Sequence, residues 1–180
     1  MQDQPLANLR VAILSTLGFE RVELVAVRDA LAAAGALVEV VSPDGPTIRS
    51  FEFPDWAEEV TVDRTLAEAR SEDYDALYLP GGVINPDLLR IDARALAFIR
   101  AFADRGRPIA SMCHGPWLLI SAGIVRGHRI AAWPSLREDL VNAGATFVDE
   151  PVVRDGMLVT ARKPDDIPQL CEALMSHFAQ

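Results

Sequence analysis

Four short apolar runs set the frame for this chain: Arg10-Val11-Ala12-Ile13-Leu14-Ser15, Leu37-Val38-Glu39-Val40-Val41, Asp75-Ala76-Leu77-Tyr78-Leu79 and Ile109-Ala110-Ser111-Met112. Continuous apolar runs of this length read as strands buried on both faces, as in parallel sheets. Helical spacing fills the intervals. Leu24, Val27, Leu31 and Ala34 recur three and four residues apart, and Leu96, Ile99 and Phe102 mark a second helix over 93–105. Gly35 and Gly106 stand where helix ends need a left-handed residue. Strand, helix, strand with short links predicts a parallel sheet with right-handed crossovers, a doubly wound α/β domain. The whole chain, 1–180, is expected to form one domain, with 1–8 a flexible tail.

Elsewhere the pattern is weaker. Residues 42–61, with Pro43, Gly45, Pro46 and Pro54, read as irregular, apart from a short strand near Val60-Thr61-Val62. Leu66–Ala69 reads as a brief helix. Residues 129–133 read as a strand, 134–143 as a helix and 164–178 as a terminal helix. Asp155-Gly156, between Val152-Val153-Arg154 and Met157-Leu158-Val159-Thr160, signals a two-residue hairpin turn.

Ligands of open parallel sheets sit beyond the carboxyl ends of the strands. Three such ends carry chemistry here: Glu20 after the first strand, Gly81-Gly82 after the third, and Cys113-His114 after the fourth. The fourth is the most telling. Met112-Cys113-His114-Gly115-Pro116 stops a strand abruptly before the helix-compatible run Trp117-Leu118-Leu119-Ile120. A cysteine at such an elbow meets helix-terminal N–H groups, which favour its thiolate. Free cysteine is often an inert small hydrophobe, but an adjacent histidine and a Gly-Pro pair favour a reactive role. His114 reads as a base or orienting group, and its backbone N–H as an oxyanion donor with Gly81 or Gly82. Glu20 is the carboxyl expected within reach of the sulfur, its pKa raised by desolvation; Glu23 competes as a structural or interface residue. Cys171 reads as core packing.

Composition excludes other classes. Against 17 basic residues stand 26 acidic ones, a formal charge of −9 that would repel nucleic acid and anionic membranes. The N-terminus lacks the basic and apolar regions of a signal peptide, and no apolar run spans a bilayer. Two cysteines make neither a disulfide framework nor a metal-ligand spacing. A cytoplasmic location without metal or cofactor is the expectation.

Taken together, Phe19-Glu20-Arg21-Val22-Glu23-Leu24, Leu79-Pro80-Gly81-Gly82, Ser111-Met112-Cys113-His114-Gly115-Pro116, Trp133-Pro134-Ser135, Asn142-Ala143-Gly144 and Arg162-Lys163-Pro164-Asp165-Asp166 resemble the PfpI-type branch of the ThiJ/PfpI superfamily. The resemblance covers nearly the whole chain. It implies a flavodoxin-like three-layer sandwich with a mainly parallel sheet and a strained nucleophile elbow. Carried over, Cys113 would be the nucleophile, Glu20 its buried acid, His114 the adjacent triad member and Asp87 an acid donated by a neighbouring subunit; Trp133 would line the substrate site. It further implies a homodimer or higher oligomer. Members are described as cysteine peptidases, glyoxalase-type hydratases and deglycases, all using thiolate attack on a carbonyl. A non-catalytic oxidative-stress protein, with Cys113 as redox sensor, and a holdase chaperone are the alternatives. Related amidotransferases place a catalytic histidine two residues before a glutamate; none of the three histidines here has one, so amide transfer is not expected.

Overall fold

A computed structural model describes residues 4–179. In chain order its elements are β1 (Arg10–Leu14), β2 (Phe19–Glu20), α1 (Arg21–Ala33), β3 (Leu37–Ser42), β4 (Thr47–Glu52), β5 (Asp55–Thr61), β6 (Arg64–Thr65), β7 (Ala76–Leu79), α2 (Ile84–Leu89), α3 (Ala93–Asp104), β8 (Ile109–Met112), α4 (Pro116–Ala122), β9 (Arg129–Ile130), α5 (Arg137–Asn142), β10 (Thr146–Phe147), β11 (Val152–Asp155), β12 (Leu158–Ala161) and α6 (Ile167–Phe178). The main sheet runs β11-β12-β8-β7-β1-β3-β6. Every neighbouring pair is parallel except β11 with β12.

The period of two along β1 divides the core. Val11 and Ile13 pack toward α1 and α6 with Leu24, Leu31 and Leu174, while Ala12 and Leu14 pack on the other face with Phe102, Leu118 and Leu140 of α3, α4 and α5. Sheet between two helical layers is the α/β sandwich expected. Each leucine-sized side chain fully withdrawn from water contributes roughly 1.5–3 kcal/mol, so the apolar stripe of α1 (Leu24, Val27, Leu31) holds that helix far better than propensity does. The N-terminus of α3 is capped by Asp92, whose carboxylate accepts from Arg94 N at 2.8 Å.

Several local expectations need correction. Residues 47–61 form an antiparallel hairpin, β4–β5, with Ile48 opposite Val60. Its prolines, Pro46 and Pro54, lie outside the two strands. Its inward face carries only Ile48, Ser50 and Val60, too thin an alternation to read as strand. β2 pairs in parallel with β4, making a separate three-stranded sheet. No helix forms over 66–69. The Glu68 carboxylate accepts from Thr65 N and Oγ1, at 3.0 and 2.9 Å, and closes a turn instead. In the β11–β12 hairpin Asp155 pairs with Leu158, so the turn residues are Gly156-Met157, one place beyond the Asp-Gly signal. Part of the expected tail is packed: Leu6 is fully buried, and its N–H donates to Ala34 O at 3.0 Å. Residues 1–3 of that tail lie outside the described residues.

Candidate active site

The ends of β1, β7 and β8 converge with the first turn of α1. Cys113, one residue beyond β8, has φ +58, a left-handed conformation that a side-chain-bearing residue seldom adopts. Its backbone is held on both sides: its N–H donates to Ala161 O at 3.1 Å and its carbonyl accepts from Trp133 N at 2.8 Å. Such a conformation costs about 1–3 kcal/mol and persists only where surrounding bonds over-determine it. The elbow is also tight. A Cβ on Gly115 would lie 2.5 Å from Ser111 Oγ and 2.6 Å from Leu79 O, so only glycine lets the chain enter α4, which then begins with Pro116.

The acid beside the sulfur is Glu23, and the expectation for Glu20 is corrected. Glu23 is fully buried. Its Oε2 accepts from Gly81 N at 2.7 Å. Its Oε1 finds no nitrogen or oxygen partner, and the carboxyl group hydrogen-bonds the Cys113 thiol. Burial, opposed by those hydrogen bonds, pushes its pKa up to about 8, so it is a neutral acid below that pH. Glu20 instead leaves the helical stripe. It precedes α1 with extended ψ of 121° and sits in β2 opposite Phe51, half-buried at the cleft mouth. Burial first, and Glu52 second, raise its pKa.

Cys113 itself is buried, 6% exposed. Desolvation and the neighbouring Glu23 push its thiol pKa up, against amides of Gly82 and His114 that pull it down. The elbow alone therefore does not produce a free thiolate. An ionised Glu23 beside the sulfur opposes a thiolate, and a protonated Glu23 removes that opposing charge.

His114 lies closer to the sulfur than adjacency on a turn predicts, with Nδ1 3.3 Å from Cys113 Sγ. Its ring stacks on Trp133 (centroids 5.8 Å, 24° between planes) and meets Trp117 edge-on at 5.1 Å. Burial lowers its pKa, so the neutral imidazole, a proton acceptor, is favoured. Gly81 cannot supply an oxyanion donor, because its N–H is taken by Glu23; the pair that remains is Gly82 with His114. Gly81 must be glycine for another reason: a Cβ there would lie 2.6 Å from Glu23 Oε2 and 2.7 Å from Cys113 Cβ. Asp87 is exposed on α2 and does not line the cleft. Asn85, which the sequence did not single out, is buried and ties the glycine turn to the end of β1. Its Oδ1 accepts from Thr16 N (2.8 Å) and Ser15 Oγ (3.3 Å), and its Nδ2 donates to Pro80 O (3.0 Å) and Gly81 O (3.2 Å).

Above the sulfur opens a cleft of about 500 Å³, walled by Phe51, Phe53, Ile84 and Trp133. Sandwich, left-handed cysteine elbow, buried acid and cleft together define a cysteine-centred protein of the ThiJ/PfpI type. The sequence model of the DJ-1/PfpI family matches residues 9–177, and the chain belongs to that family. It is 39% identical over 160 residues to protein/nucleic acid deglycase 2 of Escherichia coli (strain K12), covering 88% of this chain and 91% of that protein. It is 40% identical over 161 residues to general stress protein 18 of Bacillus subtilis (strain 168), with the same coverage of 88% and 91%. Among solved structures, Drosophila melanogaster DJ-1beta superposes with a TM-score of 0.87 at 26% identity, over 96% of this chain and 91% of that one. Among the described residues, no helix is long and apolar enough to cross a membrane.

Proposed function

We propose that this protein is a cytoplasmic stress-response enzyme whose Cys113 attacks small reactive carbonyl compounds, methylglyoxal and glyoxal or the adducts they leave on amines and thiols. The observation that carries this reading is the pairing of Cys113 with a buried, protonated Glu23 at the floor of a cleft. The thiol proton passes to His114 Nδ1, the sulfur adds to the aldehyde carbon, and Glu23 gives its proton to the developing oxyanion, leaving a hemithioacetal, an imidazolium and a Glu23 carboxylate. The Glu23 carboxylate takes the proton from that carbon and returns it to the neighbouring one. The His114 imidazolium meanwhile protonates the ketone oxygen and takes back the proton of the first hydroxyl, so that hemithioacetal becomes thioester. The proton left on His114 returns to Glu23 at the end of the cycle. Water cleaves the C–S bond, releasing a 2-hydroxy acid and restoring the thiol. The deglycase and stress-protein names of the relatives agree with this chemistry.

Peptide hydrolysis asks for more, because a leaving amine must be protonated. Burial alone shifts His114, and among the described residues no carboxylate is a cause of its shift that would support that role. In this reading Asp87 serves a neighbouring copy, and the active unit for peptides is at least a dimer. A sensing role is less well supported, since oxidation by peroxide favours an exposed sulfur and Cys113 is buried.

Methylglyoxal consumption and lactate release, followed for wild type and Cys113→Ala, test the proposal. The variant is expected to lose about a hundredfold or more in kcat/KM; equal rates would overturn it.

A further inference from the structure

The charge lining the cleft is one-sided. Glu20, Glu23 and Glu52 all line it, and among the described residues no lysine or arginine does. Glu23 belongs to the reacting pair below. Glu20 and Glu52 stand higher, brought together by the parallel pairing of β2 with β4, in which Glu20 lies opposite Phe51. Among the described residues Glu20 forms no ion pair, and Glu52 has only a long one. Arg21 reaches Glu52 only at 3.9 Å, Nε to Oε2, while it holds Glu58 through two closer contacts of 3.0 and 3.4 Å. The Glu52 charge adds to burial in raising the pKa of Glu20, a mutual repulsion that a bound cation would relieve.

Two aromatic side chains share that upper wall and present surface to solvent: Phe53, 85% exposed, and Trp133, 38% exposed. Aromatic faces beside carboxylates form the usual receptor for guanidinium and ammonium groups. The buried Glu23, bonded to Gly81 N, lies at the floor of the same space.

We propose that the cleft selects substrates carrying a positive charge next to the reactive carbonyl carbon, held by Glu20 and Glu52 against Phe53 and Trp133. The inference rests on the reading of Cys113 as a carbonyl nucleophile. It implies that adducts on guanidinium or ammonium compounds are processed in preference to those on carboxylate-bearing thiols.

A matched series tests it: methylglyoxal hemithioacetals of thiocholine (cationic), 2-mercaptoethanol (neutral) and 3-mercaptopropionate (anionic). At low ionic strength wild type is expected to favour the cationic over the anionic substrate by about tenfold in kcat/KM, the scale of partly exposed charge contacts. In the Glu20→Gln/Glu52→Gln double variant that ratio falls toward one. A wild-type ratio near one, or a ratio that survives the double substitution, would overturn the proposal. A second arm needs no turnover: binding of benzyltrimethylammonium and of benzoate to wild type, followed by tryptophan fluorescence. Preferential binding of the cation supports the inference, and equal or reversed binding refutes it. If none of the three hemithioacetals is consumed while the cation still binds preferentially, the carbonyl reading fails and charge selection stands.

Discussion

At the scale of single residues, the decisive pair is Cys113 with Glu23. Glu23 departs from the usual carboxylate rule, because its folded pKa, about 8, lies above the unfolded value near 4.5. Below the unfolded value both states are protonated and the group is neutral to stability. Between the two values the unfolded chain loses the proton while the folded one keeps it, so stability falls as pH rises. Desolvation of the buried carboxylate is the main source of that loss. Glu23→Gln is therefore expected to become more stable relative to wild type between pH 5 and pH 8, while losing turnover. Urea midpoints at the two pH values read the effect, and parallel pH profiles for the two proteins would contradict it.

At the scale of elements, the site is a junction of strand ends, and the glycine turn after β7 is held by one side chain. Asn85 bonds to both the end of β1 and the turn that carries Gly81 and Gly82. Asn85→Ala leaves several buried polar groups unpaired, so a loss of about 2–4 kcal/mol is expected. Methylglyoxal turnover should fall with it, since Gly81 holds Glu23 and Gly82 touches the sulfur. A denaturation midpoint within error of wild type would show that water replaces the amide. The β4–β5 hairpin has the complementary role. It contributes little core but supplies Phe51, Glu52 and Phe53 to the cleft wall, so its substitutions are expected to change substrate choice before they change the fold.

At the scale of the whole molecule, the residue at issue is Asp87, the proposed triad acid, which does not line the cleft of its own chain. It lies on α2 with Val83 and Leu88 nearby and Ile91 just beyond, all exposed. If a second copy completes the triad, Cys113→Ala and Asp87→Ala proteins should each fail to cleave peptides and yet complement one another when mixed. An equal mixture of exchanging subunits should recover about a quarter of wild-type peptidase activity, with one working site in each mixed dimer. No recovery in a mixture shown by sedimentation to form mixed dimers would remove the shared triad.

Much of this molecule was legible in the sequence. Buried strands declare themselves by unbroken apolar runs, and α1 and α3 by apolar residues three and four apart, since both patterns follow from how much of each element faces water. The cysteine elbow was legible because glycine, proline and an abrupt strand end leave few other conformations. Which glutamate meets the sulfur was not. Glu20 and Glu23 both continue the α1 stripe when it is extended backward, Glu20 four residues before Leu24 and Glu23 four before Val27. Only the point where the helix starts separates them. Strand pairing with β4 holds Glu20 extended, and helical phase turns Glu23 inward onto Gly81 and Cys113. That choice depends on contacts between segments far apart in the chain, and so does the pKa that makes Glu23 useful. The sequence determined that a cysteine would stand at the end of β8; tertiary packing decided which acid it shares a proton with.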